Sequence, residues 1–407
     1  MQKTPKLSDE ELNEIFMKAG VDQQEGLLDS AKSGYLRLLE HFPDAPVLHS
    51  HLGLVYYESG EYVQSRDSFL RAATLAPQHM DIIFNLALAQ KKTGDLEGAI
   101  ASYKKVAKSQ PDNIDTLYNL AGCYKDRRQH EKAIEAYRKV LALSPEHLAA
   151  NSNLAYVYHL TGSVEHAVFY YKKVLEYKPD HHAAQHMLAA ITCADATSSP
   201  DSYVRDVFDN YSLHYEKSLV EELEYCVPST IRRLLDERSD WKKRYDHGLD
   251  LGCGTGLGGQ AFADMINELD GIDLSTKMIE LAEAKKIYRK LYAGSIANFL
   301  QSSKQSYDFF LATDVFAYVG DLAETFSLLR SHARRDVLFC FSTEAADGTG
   351  YRLRPTGRFA HAPDYIHQLS VQTGWTVAMS RRTSLRKEQG RWVPGDLWCL
   401  RLQDSRL

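Results

Sequence analysis

Asp250-Leu251-Gly252-Cys253-Gly254-Thr255-Gly256 follows directly on the short run His247-Gly248-Leu249. Three alternating glycines behind a strand allow a tight turn with no Cβ between backbone and ligand. They also open a helix whose first amides face that ligand. A second run, Gly271-Ile272-Asp273-Leu274-Ser275, places Asp273 23 residues beyond Asp250. A carboxylate at that strand end can accept both ribose hydroxyls of a nucleoside, and Leu274 and Met278 are spaced to line its base. Spacing alone leaves the nucleoside open, because Gly254-x-Gly256-x-x-Gly259 also fits the dinucleotide fingerprint. That match starts three residues beyond the strand end, however, whereas the fingerprint's first glycine should make the turn itself.

The elements needed to position these residues are present. Apolar runs ending HGLDLGCGTG, ELDGIDLS, KLYAGS, YDFFLATD and DVLFCFST alternate with helical stretches, which implies a parallel α/β sheet with crossover helices. TVAMSRRTSLR and WVPGDLWCLRL then read as two strands joined through Glu388-Gln389-Gly390. An antiparallel pair closing such a sheet is the topology of class I methyltransferases; a plain dinucleotide-binding fold would end on a parallel strand. The D-x-G-x-G-x-G loop resembles theirs as well. The resemblance implies S-adenosyl-L-methionine as cofactor, its methionine part cradled by Gly252, Gly254 and Gly256. Asp250 would reach the cofactor's ammonium, directly or through water, Asp273 would hold the ribose, and Leu274 and Met278 would flank the adenine. Many relatives place an acid for the adenine amine within the stretch occupied here by Gly294-Ser295-Ile296; with Ser295 in that position, the contact passes to a backbone group. Read from position alone, Tyr211 and His214 could cover the cofactor as a lid, the alternative being that Tyr211 only packs.

Methyl transfer is an in-line displacement that gains most from positioning, with a general base where the nucleophile carries a proton. Candidates belong at the carboxyl ends of strands. Asp314 follows the fourth strand as a base or acceptor-orienting group, the alternative being a helix cap. Glu344 follows the fifth. Arg352, Arg354, Arg358 and His361 cluster behind it, near Tyr365. Arg358 and Arg354 could clamp an anionic acceptor through bidentate contacts, the alternative being a solvated, salt-bridged surface loop, and His361 is an alternative base. Asp314-Val315-Phe316-Ala317 stands where amide and adenine N-methyltransferases carry an Asn-Pro-Pro-Tyr type motif. That disfavours DNA bases and glutamine side chains. A carboxylate, a hydroxyl or amine of a metabolite, and a protein side chain remain as acceptors.

The first half of the chain has a different grammar. Proline recurs at 43, 77, 111, 145 and 179, always 34 residues apart. In the same period come an aromatic (Tyr35, Phe69, Tyr103, Tyr137, Tyr171), a small residue (Ala19, Gly53, Ala87, Ala121, Ala155, Ala189) and a turn glycine (Gly26, Gly60, Gly94, Gly162), the last broken at Arg128. This is the tetratricopeptide (TPR) pattern of stacked helical hairpins. Residues 12–193 read as five repeats and a cap helix, 194–202 as a linker of small polar residues and a proline, and 203–407 as the α/β domain. Such a solenoid presents a concave surface to a protein or peptide. Asn85, Asn119 and Asn153 share one phase and could form a ladder along an extended peptide, which resembles the asparagine ladder of TPR-bearing glycosyltransferases; the alternative is local hydrogen bonding.

Further segments are similar to predicted TPR-containing methyltransferases of the type 11 family: Tyr203 to Tyr211, Leu223 to Pro228, Ala312 to Leu322, Phe341 to Glu344 and Thr356 to His361. The expected architecture is therefore an α-solenoid followed by a Rossmann-like domain with a closing antiparallel hairpin. The 407 residues are 44% hydrophobic with net charge −6, which argues against a general nucleic-acid or membrane-surface binder. The first residues carry no apolar secretory region and no apolar run is long enough to span a bilayer. Six scattered cysteines without a C-x-x-C pair suit reduced thiols in the cytoplasm and no metal site.

Overall fold

The computed structural model describes residues 7–211, 216, 219, 223–238, 241–388 and 390–402, with the backbone alone at 210 and 211. It forms two compact units, Met1–Pro179 and Asp180–Leu407.

In the first unit ten helices make five hairpins: α1 (Asp9–Gln24) with α2 (Leu28–His41), α3 (Pro46–Glu58) with α4 (Tyr62–Leu75), α5 (Met80–Lys92) with α6 (Leu96–Ser109), α7 (Ile114–Asp126) with α8 (His130–Leu143), and α9 (Leu148–Leu160) with α10 (Val164–Tyr177). Each periodic proline lies two residues past its second helix, which cannot continue through it. The periodic aromatics are buried. Tyr35 stacks on His51 of the next hairpin at 5.2 Å and meets Phe16 of its own edge-on. A Cβ on Gly53 would stand 2.9 Å from the Phe69 ring, so the small residue sets how closely the two helices of a hairpin approach. The turn glycines are left-handed, and Arg128 is left-handed too, at φ 57°, without being glycine. Two of the three phased asparagines are satisfied inside the array. Asn119 Nδ2 donates to the carbonyl of Asp115 at 2.9 Å, and Asn153 Nδ2 donates to the Tyr118 hydroxyl at 3.0 Å.

The second unit opens with α11 (His182–Thr192), α12 (Asp201–Tyr211) and α13 (Val227–Asp236). Then come β1 (Tyr245–Leu251), α14 (Leu257–Phe262), β2 (Ile266–Asp273), α15 (Thr276–Ala284), β3 (Lys290–Ala293), α16 (Ile296–Ser302), β4 (Tyr307–Ala312), α17 (Ala323–Ser331) and β5 (Ala333–Ala345). A short hairpin, β6 (Tyr351–Leu353) and β7 (Phe359–His361), precedes α18 (Pro363–Gln372), β8 (Trp375–Glu388) and β9 (Arg391–Leu402). The strands run β3-β2-β1-β4-β5 in parallel. β9 lies antiparallel on β5, and β8 antiparallel on β9, as the closing pair. Register pairs Asp250 with both Gly271 and Leu311, which brings the carboxyl ends of β1, β2 and β4 together. β4 is buried along its whole length, as expected of a strand covered on both faces. Phe310, Phe339 and Phe341 pack on one side, Phe309, Leu311 and Leu338 on the other. Cys340 and Cys399, far apart in sequence, are cross-strand partners with sulfurs 3.4 Å apart.

The contacts divide the chain ahead of α11, not behind it as the 12–193 array and 194–202 linker would have it. Ala190 packs on Leu353 and Phe359, and His186 Nε2 lies 2.8 Å from the Gly357 carbonyl. The linker residues are likewise held. Ser198 bridges Val319, Ser199 N donates to Tyr318 O at 2.9 Å, and the amides of Gly320 and Asp321 both donate to Thr197 O at 2.8 Å. Small polar residues supply backbone pairing as readily as slack. A fragment beginning at Asp180 should therefore fold as an intact unit. One beginning at 203 exposes the Leu353 and Phe359 side chains and should lose on the order of 3 kcal/mol. Thermal melts of the two fragments test this, and equal midpoints would remove α11 from the second unit.

Candidate active site

A cavity of about 440 Å³ opens at the carboxyl ends of β1, β2 and β4. Its floor is the glycine loop, with Gly252, Gly254 and Thr255; Asp273, Leu274, Ser295 and Ile296 form one wall and Thr313 to Phe316 another. Thr197 to Ser199, from the bridged segment, close a further side. Asp273 takes 2.9 Å hydrogen bonds from the amides of Gly254 and Ser275, so the second strand's carboxylate fastens the glycine loop. Burial pushes its pKa up against those amides. Gly254 is left-handed at φ 54°, and an added Cβ would meet nothing within 4 Å, leaving bare backbone against the cavity. At Gly252 a Cβ would stand 2.6 Å from Val315, which seals the loop against the segment after β4. Ser295 caps α16, its hydroxyl accepting from Asn298 N at 3.4 Å, and Ser275 caps α15 through Met278 N at 3.1 Å.

Three expected cofactor contacts fall elsewhere. Asp250 is buried beneath the loop and does not line the cavity; the Tyr288 hydroxyl donates to it at 2.7 Å. Burial lifts its carboxyl to about 7, with the Tyr288 bond opposing. Gly256 starts α14 with the Tyr288 ring 3.1 Å from where its Cβ would be, so its role is packing. Met278 is fully buried and absent from the cavity wall, because the first turn of α15 points it into the core. The side chains of Tyr211 and His214 lie outside the described residues.

Asp314 lines the cavity with a left-handed backbone, φ 62°, its amide donating to Ser342 Oγ at 2.9 Å. Its Oδ1 accepts from Arg386, a buried guanidinium on β8 that also donates to Glu344 at 2.5 Å and to Glu388 at 2.8 Å. Burial raises the Asp314 pKa, while Arg386 and Arg358 pull it down. Arg354 donates to Glu344 at 3.3 Å and to the Ala345 carbonyl. Arg358 pairs with Glu388 and sits 6.0 Å from the centre of the Tyr318 ring. Three arginines thus meet three carboxylates, Asp314, Glu344 and Glu388. This corrects the anion clamp expected of Arg354 and Arg358: neither lines the cavity, and both are neutralised within the fold. His361 is no accessible base either. It is fully buried on β7, Nε2 donates to the Gly320 carbonyl at 3.0 Å, and burial drives its pKa down to about 4.

Sequence reasoning missed Tyr288 and Arg386. Tyr288 follows α15 in no motif. Arg386 comes next to Leu385 at a β-bulge between Ser384 and Arg386, where two consecutive side chains turn inward and strand alternation fails.

Residues 249–339 match a family model described as a methyltransferase domain. Tetratricopeptide-repeat models match residues 17–79, 84–146 and 125–191. A malonyl-[acyl-carrier protein] O-methyltransferase of Halalkalibacterium halodurans is 30% identical over 160 residues, covering 36% of this chain. The chain spans 59% of the length of that relative. Among solved structures, MamA is 25% identical over 42% of this chain and 93% of its own, at a TM-score of 0.40. YrrB, a TPR protein with an unusual peptide-binding site, is 20% identical over 42% of this chain and 89% of its own, also at 0.40. No helix among the described residues is long and apolar enough to cross a membrane. The chain joins tetratricopeptide repeats to a class I methyltransferase domain.

Proposed function

We propose that this chain transfers a methyl group from S-adenosylmethionine to an acceptor held at the Asp314 end of the cavity. The repeat array would bind the protein or peptide that carries the acceptor. The observation that supports this best is one cavity shared by Asp273, the bare Gly254 backbone and Asp314. The wall also suits the cofactor. Thr255 lines it with a buried hydroxyl that has no partner among the described residues, and a buried donor without a partner is costly unless a ligand supplies one. Bound there, S-adenosylmethionine would supply an electrophilic methyl on a sulfonium. Asp273 would accept the ribose hydroxyls, Leu274 and Ile296 would flank the adenine, and Asp250 would act from beneath by holding Tyr288 against the loop. Asp314 would orient the acceptor and take its proton. The O-methyltransferase relative acts on a group borne by a carrier protein, and a protein-borne acceptor accords with a repeat array on the same chain as the catalytic unit. Titration calorimetry of the full chain with S-adenosylhomocysteine tests the cofactor seat. At 100 times its Kd the ligand should add about 2.7 kcal/mol to the unit's stability. No heat and no melting shift at millimolar ligand would reject the reading.

A further inference from the structure

We infer that the repeat array takes an acidic peptide, one of whose side-chain carboxylates enters a gap at Gly122 between the Lys91 ammonium and the Tyr137 hydroxyl. The inference rests on the reading that the array binds a protein or peptide, and it names the chemistry of that partner.

Gly122 lies in the interior of α7, where alanine would hold the helix better. The same phase carries Leu54, Leu88 and Tyr156 in other hairpins. A Cβ on Gly122 would stand 3.1 Å from Lys91 Nζ and 3.9 Å from the Tyr137 hydroxyl. The missing side chain thus leaves a space that a cation and a hydroxyl border together. Lys91 forms no ion pair among the described residues. Tyr137 is fully buried, and its hydroxyl has no hydrogen-bond partner among the described residues. Burial pushes its pKa up, so it keeps its proton and remains a donor. A buried donor left unpaired is costly until an acceptor arrives.

The first hairpin shows what is missing. There Gly20 stands in the phase of Gly122, with the Tyr35 hydroxyl 3.8 Å from its Cβ position. That hydroxyl donates to Gln23 Oε1 at 3.4 Å. In the fourth hairpin the phase of Gln23 holds Lys125, whose ammonium has no lone pair to offer. An acceptor within the fold is replaced by a cation, so the anion must come from outside. Asp126, whose charge is felt at Tyr137, is taken by Lys125 at 3.6 Å. Lys91 carries its ammonium on a flexible stem that can move aside and close back on a carboxylate. Asn119 lies one turn before Gly122 on the same face of α7, so an extended peptide following the asparagine phase passes the opening. The chain's net charge of −6 opposes an acidic partner overall, and the attraction is therefore local to this gap.

The test uses the full chain and three fluorescent octapeptides that alternate glycine with glutamate, glutamine or lysine, read by anisotropy at about 0.15 M salt. The glutamate peptide should bind about tenfold or more tightly than the glutamine peptide, and the lysine peptide most weakly. Lys91→Met should cut that preference to about threefold or less. Tyr137→Phe should weaken the glutamate peptide by about three- to tenfold yet melt no lower than the parent chain, because it removes only an unpaired hydroxyl. Lys139→Met, which removes an exposed charge elsewhere on the array, should leave binding unchanged. Equal binding of the glutamate and glutamine peptides overturns the acidic partner while leaving peptide binding by the array intact. A loss in Lys139→Met as large as in Lys91→Met overturns the gap at Gly122 as the site. Failure of all three peptides to bind at millimolar concentration overturns the peptide reading of the array and this inference with it.

Discussion

Arg386→Met should destabilise the second unit by about 3–5 kcal/mol, the usual cost of removing one partner from a buried ion cluster. Methionine keeps much of the length and all of the apolar stem. The loss is therefore electrostatic: Asp314, Glu344 and Glu388 each forfeit a hydrogen bond from one guanidinium. The deficit should also depend on pH. Burial already lifts the Asp314 carboxyl above its ordinary value, and Arg386 is the strongest group pulling it back. Without Arg386 the folded-state pKa climbs further. An acid whose folded pKa exceeds its unfolded one costs stability fully above the folded value, and the cost fades as pH falls towards the unfolded value near 4. Urea denaturation followed between neutral pH and about 4.5 reads both effects. A loss under about 1 kcal/mol, or one indifferent to pH, would mean that the cluster is not the support described.

Asp273→Ala should weaken S-adenosylhomocysteine binding by roughly 30- to 150-fold, or 2–3 kcal/mol, through two charge-assisted ribose contacts. The same substitution frees the amides of Gly254 and Ser275 that the carboxylate holds at 2.9 Å, so the loop loses its anchor together with the ligand contact. Asp273→Asn retains one acceptor oxygen and should fall between the two. Calorimetry on refolded, cooperatively melting variants separates this from misfolding, and an unchanged Kd removes Asp273 from the site.

The repeat array and the alternation of strands and helices were legible because both are periodic. Prolines 34 apart must end helices, and apolar runs ending in glycine must turn at the sheet's edge. The glycine loop and Asp273 were legible because their chemistry is local to a few residues. What stayed hidden depends on pairing across distance. Arg358 looked like a free cation because Glu388, its counterweight, comes 30 residues later at the end of β8, and Arg354 because its partner Glu344 lies back on β5. Asp250 looked like a ligand contact because nothing marks Tyr288, 38 residues on, as its partner. α11 carries the small residue of the TPR period at Ala189, yet the neighbouring Ala190 packs on β6 and β7; a helix face of alanines suits either neighbour, and one-dimensional phase cannot choose between them. The hairpin of β6 and β7 stayed hidden as well, since three-residue strands leave no alternation to detect.

Arg128 stands where the other intact turns place glycine, and it keeps their left-handed backbone. A side chain there carries about 1–2 kcal/mol of strain. In a compact globule such a cost is shared by the whole cooperative fold. In a stacked array, stability is close to a sum of single-repeat terms and nearest-neighbour interfaces, so the cost stays with the α7–α8 hairpin. That hairpin becomes the point of least resistance, the place where the solenoid frays from within rather than from its ends, and where amide protons should exchange before those of its neighbours. An array built to bend open around a bulky partner would yield there first.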